Sequence, residues 1–124
     1  MAVVDDDPTV TMMLSRILSR SGYDVQVFTS GEAILAASPG QVHVICLNLS
    51  LPGIDGFETL ARLKQAGSTT PVILFSASAS GIAERAKTAG AFACVSKTGA
   101  WEELKRTIAA AMDATRGTAP DFGL

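Results

Sequence analysis

Polar side chains suited to metal and phosphoryl chemistry follow four apolar segments of the chain, each where the segment ends. Asp5 and Asp6 follow the first of these segments, Asn48 ends the second, and Ser76 and Lys97 come after the last two. Clustered carboxylates repel each other and therefore need a hard cation such as Mg²⁺, or a nearby ammonium group. Lys97 can supply the ammonium group, and both Lys97 and Ser76 can bind a phosphoryl oxygen. These residue types predict a pocket for a cation and a phosphoryl group, provided that the fold brings them together.

The elements that must position these residues alternate in type along the chain. Short apolar runs, predicted as strands, alternate with amphipathic segments, predicted as helices, in the order βαβαβαβαβα. Continuously apolar strands separated by helices are typical of an α/β fold with a parallel sheet covered on both faces. Right-handed crossovers make such a fold doubly wound, with its sites at the carboxyl ends of the strands. The predicted strands cover residues 2–5, 24–28, 42–47, 71–77 and 92–97, and the predicted helices begin near Pro8, Gly31, Asp55, Ser80 and Trp101.

The composition favours a single globular domain. The chain has 124 residues, 48% of them apolar, and a net charge of -2. This length suits one domain with a core, and this charge gives no electrostatic reason to bind nucleic acid or an anionic membrane. No apolar run approaches the roughly 18 residues of a membrane span, so we expect a cytoplasmic protein. Cys46 and Cys94 lie in apolar runs and are expected in the core, with a disulfide or metal site as the weaker alternative.

Four short motifs, each at the end of a predicted strand, carry a resemblance to a known family. Each is weak alone, but together and in this order they resemble the receiver domain of bacterial two-component response regulators, from Ala2 to about Ala114. The resemblance implies a flavodoxin-like (βα)5 sandwich with a five-stranded parallel sheet in the order 2-1-3-4-5. It also implies a receiver domain over residues 1–115, followed by a tail or the start of a linker over 116–124. The motifs are Asp5-Asp6, LNLSLPGIDG (47–56), Ser76-Ala77, and Gly90-Ala91 with Lys97.

The same resemblance implies a role for each residue that matches the family's motifs. Asp5 and Asp6 are implied as ligands of Mg²⁺, with Ser50 lending its backbone carbonyl. Ser76 is implied as the switch hydroxyl, and Lys97 as the ammonium group that binds the phosphoryl. A histidine kinase or a phosphotransfer protein of a two-component phosphorelay is the implied partner, and the domain is expected to signal rather than to act as an enzyme.

Asn48 departs from the family at the position that accepts the phosphoryl group. A carboxylate can attack a phosphohistidine or a small acyl phosphate, whereas an amide is neutral and its nitrogen lone pair is delocalised. We therefore expect no phosphorylation at residue 48, and a weaker affinity for Mg²⁺ because the site has lost a negative charge. The chain is then expected to be a pseudo-receiver, which works through protein contacts in one fixed state.

Two further departures concern the conformational switch. Thr98 follows Lys97, where the family usually has a proline in a cis peptide. A cis bond without proline costs about 2.5–4 kcal/mol, so the sequence leaves open a trans bond or an unusual strained one. Cys94 stands at the family's switch-aromatic position, and its side chain is too small to couple hydroxyl capture to the rotation of a ring.

Three interpretations of Asn48 stay open at this point. It is a natural substitution, an engineered Asp→Asn change that freezes an unphosphorylated form, or a structural amide that bonds the nearby loop, which is compatible with either of the others. The other site residues are intact, and this favours recent loss or engineering. Thr98 and Cys94 instead favour natural drift.

The surface that engages partners is predicted at the last two helices and the last strand. In the family this face binds other proteins or forms homodimers, and a homodimer is one option here. Trp101 is expected to cover the core rather than to signal. No DNA-binding element occurs in the sequence, and the tail fits either a stand-alone receiver or one that continues into an output domain. The residues of this predicted output face are Ile82, Lys87, Cys94, Trp101 and Lys105.

A phosphatase of the haloacid-dehalogenase type is the alternative function. The segment AVVDDDPTV resembles its first motif, in which Asp5 is the nucleophile and Asp7 the acid and base. Ser76 and Lys97 then take phosphate-binding roles. Against this alternative, the sequence has no paired acids after a later strand and no cap insertion.

Overall fold

Strands and helices alternate strictly along the part of the chain that the structure describes. The computed structural model describes residues 1–37, 42–76, 82–97 and 101–118, with side chains as far as residue 114. Within these ranges the strands are β1 (Ala2–Val4), β2 (Gln26–Phe28), β3 (Ile45–Asn48), β4 (Val72–Ser76) and β5 (Ala93–Ser96). The helices are α1 (Pro8–Arg20), α2 (Gly31–Ala36), α3 (Gly56–Gln65), α4 (Ala83–Thr88) and α5 (Trp101–Thr118).

The five strands form one parallel sheet in the order β2-β1-β3-β4-β5. This confirms the predicted flavodoxin-like α/β fold and its strand order. The register pairs Val4 with Leu47, and Leu47 with Leu74, so the carboxyl ends of the three central strands lie side by side. The ladder continues one residue beyond β3, where the backbone N–H of Leu49 donates to the carbonyl of Phe75 at 3.0 Å.

Successive strand residues enter two hydrophobic cores, one on each face of the sheet. This follows from the period of two along a strand, and it explains why the strands are apolar throughout. One core is formed by Val3, Cys46, Ile73 and Val95 of the sheet with Leu14, Leu18, Leu104 and Ile108 of α1 and α5. The other is formed by Val4, Ile45, Leu47 and Leu74 with Ile34, Leu60, Leu63 and Ala86 of α2, α3 and α4. None of the helices in the described ranges is long and apolar enough to cross a bilayer.

Three helices begin directly after a residue whose side chain caps them. The carboxylate of Asp7 accepts from the N–H of Thr9 at 2.9 Å, and Pro8 occupies the first helical turn, where no hydrogen-bond donor is needed. Ser30 caps α2 and Asp55 caps α3 in the same way, each accepting from the N–H three residues later. Because these signals are local, they place the helix starts reliably.

Element ends differ from the predictions by a few residues. β2, β3 and β5 have fewer residues than predicted, and β3 ends one residue later than predicted, at Asn48. Helix α5 continues to Thr118, four residues beyond the predicted end at Ala114, and so includes the first residues of the expected tail. Gly117 is the only helix-weakening residue before Pro120, and one glycine costs only about 1 kcal/mol. Ala77, the predicted helix start near Ser80, and Thr98 lie outside the described residues.

Helix α3 starts in close contact with the backbone that follows β3. Gly56 donates its N–H to the carbonyl of Leu49 at 2.8 Å. A Cβ atom at Gly56 would lie 2.7 Å from the carbonyl oxygen of Asn48 and 2.8 Å from the Cα of Leu49. Both are backbone atoms, which cannot rotate away as a side chain can. Glycine is therefore required here by close approach.

Gly56→Ala should lower the free energy of unfolding by roughly 1–3 kcal/mol, because the added methyl must push α3 away from β3. Urea denaturation measures the loss. Gly67→Ala is the control, because its added methyl would have no other atom within 4 Å. Only the positive φ of +88° disfavours alanine at this position, and this conformation costs about 1–2 kcal/mol. Gly56→Ala should also shift the backbone amide signals of Leu49 and Ser50, which the control should leave in place. Unchanged stability and unchanged signals in Gly56→Ala would contradict the close approach.

Candidate functional site

The sheet brings together the four predicted polar positions at its carboxyl edge. Asp5 directly follows β1, Asn48 and Ser76 are the last residues of β3 and β4, and Lys97 directly follows β5. Asp5 is 1% exposed, Asn48 5% and Ser76 7%, so three polar side chains lie in the interior at this edge. The places of these residues in the sheet bring them to the same edge.

Asp5 and Lys97 form a largely buried ion pair. The Nζ atom of Lys97 lies 2.9 Å from Oδ2 of Asp5, and the lysine side chain is 23% exposed. The contact between Nζ and Oδ2 does not have the geometry of a hydrogen bond. Oδ2 of Asp5 therefore accepts no hydrogen bond, although Lys97 balances the charge of the carboxylate. The attraction is therefore mainly Coulombic. Lys97 is held in place by its backbone N–H, which donates to the carbonyl of Ser76 at 2.6 Å, and its Nζ lies 5.6 Å from the centre of the Phe75 ring.

The side-chain nitrogen of Asn48 lies among three oxygen atoms. Nδ2 is 2.7 Å from the backbone carbonyl of Ser50, 3.2 Å from Oδ1 of Asp5 and 3.4 Å from Oδ1 of Asp6. The structure thus places Asn48 in contact with each of the three residues that the sequence predicts as ligands of a cation. Oδ1 of Asp5 also accepts from the backbone N–H of Asp7 at 3.0 Å.

A shallow cavity of about 660 Å³ opens beside these oxygens. The guanidinium of Arg85 stacks over the ring of Phe57 at 4.1 Å, so α3 and α4 contact each other across this cavity. Asp6 is exposed and faces the cavity, so the site is open to solvent on this side. Its lining residues are Asp6, Leu49, Ser50, Leu51, Pro52, Asp55, Phe57, Ile82 and Arg85.

The sequence did not indicate the contacts that Glu32 and Arg85 make at this site. Oε2 of Glu32 accepts from the backbone N–H of Ile54 at 3.3 Å, and so α2 holds the loop that carries Ser50. Gly53, in the same loop, has φ of +73°, a backbone conformation that residues with side chains rarely adopt, and a carboxylate oxygen of Glu32 lies against it. The contacts of Glu32 with Ile54 and of Arg85 with Phe57 join distant positions, and no local pattern marks such pairs.

The residues predicted as an output face have different surroundings. Ile82 lines the cavity, Lys87 is exposed on α4, and Lys105 lies 3.8 Å from Glu102 of its own helix. Trp101 packs against the core formed by α1 and α5, which confirms the expectation that it covers the core. Cys94 packs against the other core.

Both cysteines are reduced, and burial governs their acidity. Cys46 is buried between β1 and β4, and burial raises the pKa of its thiol to about 12. Burial also raises the pKa of the partly exposed Cys94 thiol. This confirms Cys46 as a core residue and excludes a disulfide between the two in this structure.

The edge presents oxygen atoms suited to Mg²⁺, but the carboxylates among them are only those of Asp5 and Asp6. Asp5, Asp6 and the Ser50 carbonyl present the hard oxygen atoms that Mg²⁺ prefers. Asn48 turns its nitrogen, which Mg²⁺ does not bind, toward the same oxygens. Among the described residues, no three histidine, cysteine, aspartate or glutamate side chains converge as a metal cluster. In this arrangement the residues do not fit a resident Mg²⁺.

Comparison with known proteins gives one consistent result. The family description "Response regulator receiver domain" matches residues 1–109. The transcriptional regulatory protein TcrA of Mycobacterium tuberculosis is 40% identical over 76 residues, which are 60% of this chain and 30% of TcrA. The response regulator MprA of Mycobacterium sp. (strain KMS) is 34% identical over 124 residues, covering 98% of this chain and 52% of MprA. The chain therefore spans about half or less of the length of these relatives.

A solved structure shows the same fold. The receiver domain of the Francisella response regulator 1452 superposes with a TM-score of 0.86 at 24% identity, covering 92% of this chain and 96% of that one. A haloacid-dehalogenase phosphatase is not favoured by these matches. The geometry agrees, because the carboxylate of Asp7 caps α1 and is engaged with Thr9 rather than turned to Asp5.

Lys97→Met should lower the free energy of unfolding by about 3 kcal/mol, the low end for a broken buried pair because Lys97 is partly exposed. The loss arises because the buried Asp5 carboxylate is left without the ammonium group that balances it. Chemical denaturation measures it, with Lys87→Met, an exposed lysine of α4, as a control expected within about 0.5 kcal/mol of the parent. Asp5→Asn combined with Lys97→Met should recover part of the loss. Equal stability of Lys97→Met and the control would contradict the ion pair.

Iodoacetamide at mildly alkaline pH should modify Cys94 slowly and leave Cys46 unmodified until the chain unfolds. Only the thiolate reacts, and burial holds the Cys46 pKa near 12 against an ordinary value of 9.0. Mass spectrometry of peptides, with and without urea, measures both reactions. The Cys46 thiol also makes stability depend on pH. Above the ordinary thiol pKa the unfolded chain releases the Cys46 proton, whereas the folded chain keeps it, so the free energy of unfolding falls as pH rises. Rapid labelling of native Cys46 would contradict its burial.

Proposed function

The chain belongs to the response regulator receiver domain family, and from this premise we propose that it is a receiver whose phosphoacceptor position is held by Asn48. Receiver domains are modules of two-component signalling and generally not enzymes. They interact with histidine kinases and phosphotransfer proteins, and they bind Mg²⁺ at the phosphorylation site.

The position of Asn48 carries the proposal. It ends β3 at the carboxyl edge, it is 5% exposed, and it contacts Asp5 and Asp6. A phosphoacceptor must attack phosphorus with a lone pair, and a carboxylate oxygen has one available. The amide of Asn48 is neutral, and its nitrogen instead donates toward three oxygens. This chain therefore forms no aspartyl-phosphate at residue 48.

The pocket keeps the other parts that this chemistry uses. Asp5, Asp6 and the Ser50 carbonyl present oxygens of the kind that Mg²⁺ prefers, but the nitrogen of Asn48 already faces all three, so the proposed function does not depend on the ion. Ser76 is the switch hydroxyl and Lys97 the ammonium group for the phosphoryl oxygens. Because Asn48 contributes no charge, the affinity for Mg²⁺ is weaker than that of a receiver with an aspartate at this position.

The proposed activity is protein recognition in a single state. A pseudo-receiver of this kind binds a histidine kinase, a phosphotransfer protein or a second copy of itself without a phosphorylation signal, and it does so in the cytoplasm. The small side chain of Cys94 at the switch-aromatic position fits this, because no ring is present to rotate. The surface of α4, β5 and α5, with Ile82, Lys87, Trp101 and Lys105, is the proposed contact face.

Incubation with acetyl phosphate and Mg²⁺, followed by intact mass, tests the central claim. The parent chain should gain no phosphoryl group at residue 48, whereas Asn48→Asp should gain one, because the carboxylate restores the nucleophile. Asn48→Asp combined with Lys97→Met is the matched control and should lose that labelling. A hydroxylamine-sensitive adduct on Asn48 of the parent chain would sink the proposal. If Asn48→Asp also stays unlabelled, the rest of the pocket is no longer competent.

A further inference from the structure

We propose that the Asn48 amide takes the place of the divalent cation, so that the acidic pocket is complete without metal. This goes beyond a weakened magnesium site, because the amide then competes with a cation for the same oxygens. It rests on the proposed function, which assigns those oxygens to the cation site. Three features of the described residues carry it: the contacts of one nitrogen atom, its orientation and the charge around it.

One nitrogen atom contacts all three oxygen ligands. Nδ2 of Asn48 lies 2.7 Å from the Ser50 carbonyl, 3.2 Å from Asp5 Oδ1 and 3.4 Å from Asp6 Oδ1. An amide NH₂ has two hydrogens, so three acceptors share two N–H groups. The shortest contact is to Ser50, and the two carboxylates share the remaining donor capacity. A cation at this edge would have to contact the same three oxygens.

The chemistry of the acceptors settles which way the amide faces. Both carboxylates and the backbone carbonyl are acceptors only, so none of them can donate to the amide oxygen. The reverse orientation would place Oδ1 of Asn48 against three oxygens, where every contact is repulsive. The NH₂ group must therefore face the pocket. To ligate a cation through its oxygen, Asn48 would have to turn its amide over and give up these hydrogen bonds.

The charge of the pocket is already largely balanced from within. Lys97 pairs with Asp5 at 2.9 Å, so two carboxylates and one ammonium leave a single net negative charge on the exposed Asp6. The partial positive charge of the NH₂ group lies between the carboxylates. Mg²⁺ bonds its ligands at about 2.0–2.1 Å, and a bound ion would bring its charge against these hydrogens.

Variants at residue 48 distinguish two reasons for weak cation binding: competition from the Asn48 amide, and the absence of a negative charge at this position. Asn48→Ala adds no ligand and no charge, but it removes the donor from the three oxygens. If the amide competes, this variant binds a cation at least about fivefold more tightly than the parent. A fivefold change corresponds to the net free energy of one hydrogen bond. If only the missing charge matters, Asn48→Ala binds no more tightly than the parent. Asn48→Asp should bind more tightly than both.

The test is titration with Mn²⁺, which takes the same oxygen ligands as Mg²⁺, with the free ion measured by its electron paramagnetic resonance signal. The expected order of affinity is Asn48→Asp, then Asn48→Ala, then the parent chain. Gln26→Glu, an amide-to-carboxylate change on the exposed edge strand β2, is the control for binding to surface carboxylates and should match the parent. An Asn48→Ala affinity equal to or below that of the parent overturns the inference.

A second measurement needs no variant and decides the matter if Asn48→Ala does not fold. Asn48 is the only asparagine in the chain, so its side-chain NH₂ gives one identifiable pair of NMR signals beside those of the glutamines. Mn²⁺ at a concentration that saturates Asn48→Asp should broaden the Asn48 pair no more than the Gln26 pair. Selective broadening of the Asn48 pair overturns the inference. Phosphoryl labelling of the parent chain instead overturns the proposed function, so the two failures are distinguishable.

Discussion

Asp5 is 1% exposed, so the charge of its carboxylate must be balanced by neighbouring groups in the protein interior. The contacts at the carboxyl edge of the sheet meet this requirement. Asp5 lies in the interior because it directly follows β1, an inner strand that lies between β2 and β3. Its two oxygens contact different elements. Lys97, after β5, balances the charge at Oδ2, and both Asn48 of β3 and the N–H of Asp7 donate hydrogen bonds to Oδ1. Burying one charge thus ties the ends of three strands to each other.

The strand order makes this arrangement available. With β1 beside β3, and β4 between β3 and β5, residues that are far apart in the chain reach one edge. The loop after β3 then has to be held, since it supplies the Ser50 carbonyl. Glu32 holds it from α2, and the close start of α3 at Gly56 holds it from the other side. One side chain and one close backbone contact together fix the position of the loop.

The element order, the helix caps and the convergence at the edge could all be predicted from the sequence, because each depends on neighbouring residues or on a general rule of parallel sheets. Asp7, Ser30 and Asp55 cap their helices by contacts within three residues. The Glu32 and Arg85 contacts could not be predicted, since each joins positions more than twenty residues apart. The importance of Asn48 followed from its place in a motif, but the three acceptors of its nitrogen required coordinates.

The hydrogen bond from the N–H of Leu49 to the Phe75 carbonyl has a consequence for the chemical ageing of the protein. Asparagine side chains deamidate when the nitrogen of the next residue attacks their own carbonyl carbon to form a ring. In the folded chain the Leu49 nitrogen is held in the sheet, pointing away toward β4, and the attack is blocked. The fold therefore preserves the amide at residue 48, while an unfolded or newly made chain is open to hydrolysis that leaves a carboxylate there. Hydrolysis of the ring gives isoaspartate as well as aspartate, so only some of the chains that react while unfolded would carry an ordinary aspartate at residue 48.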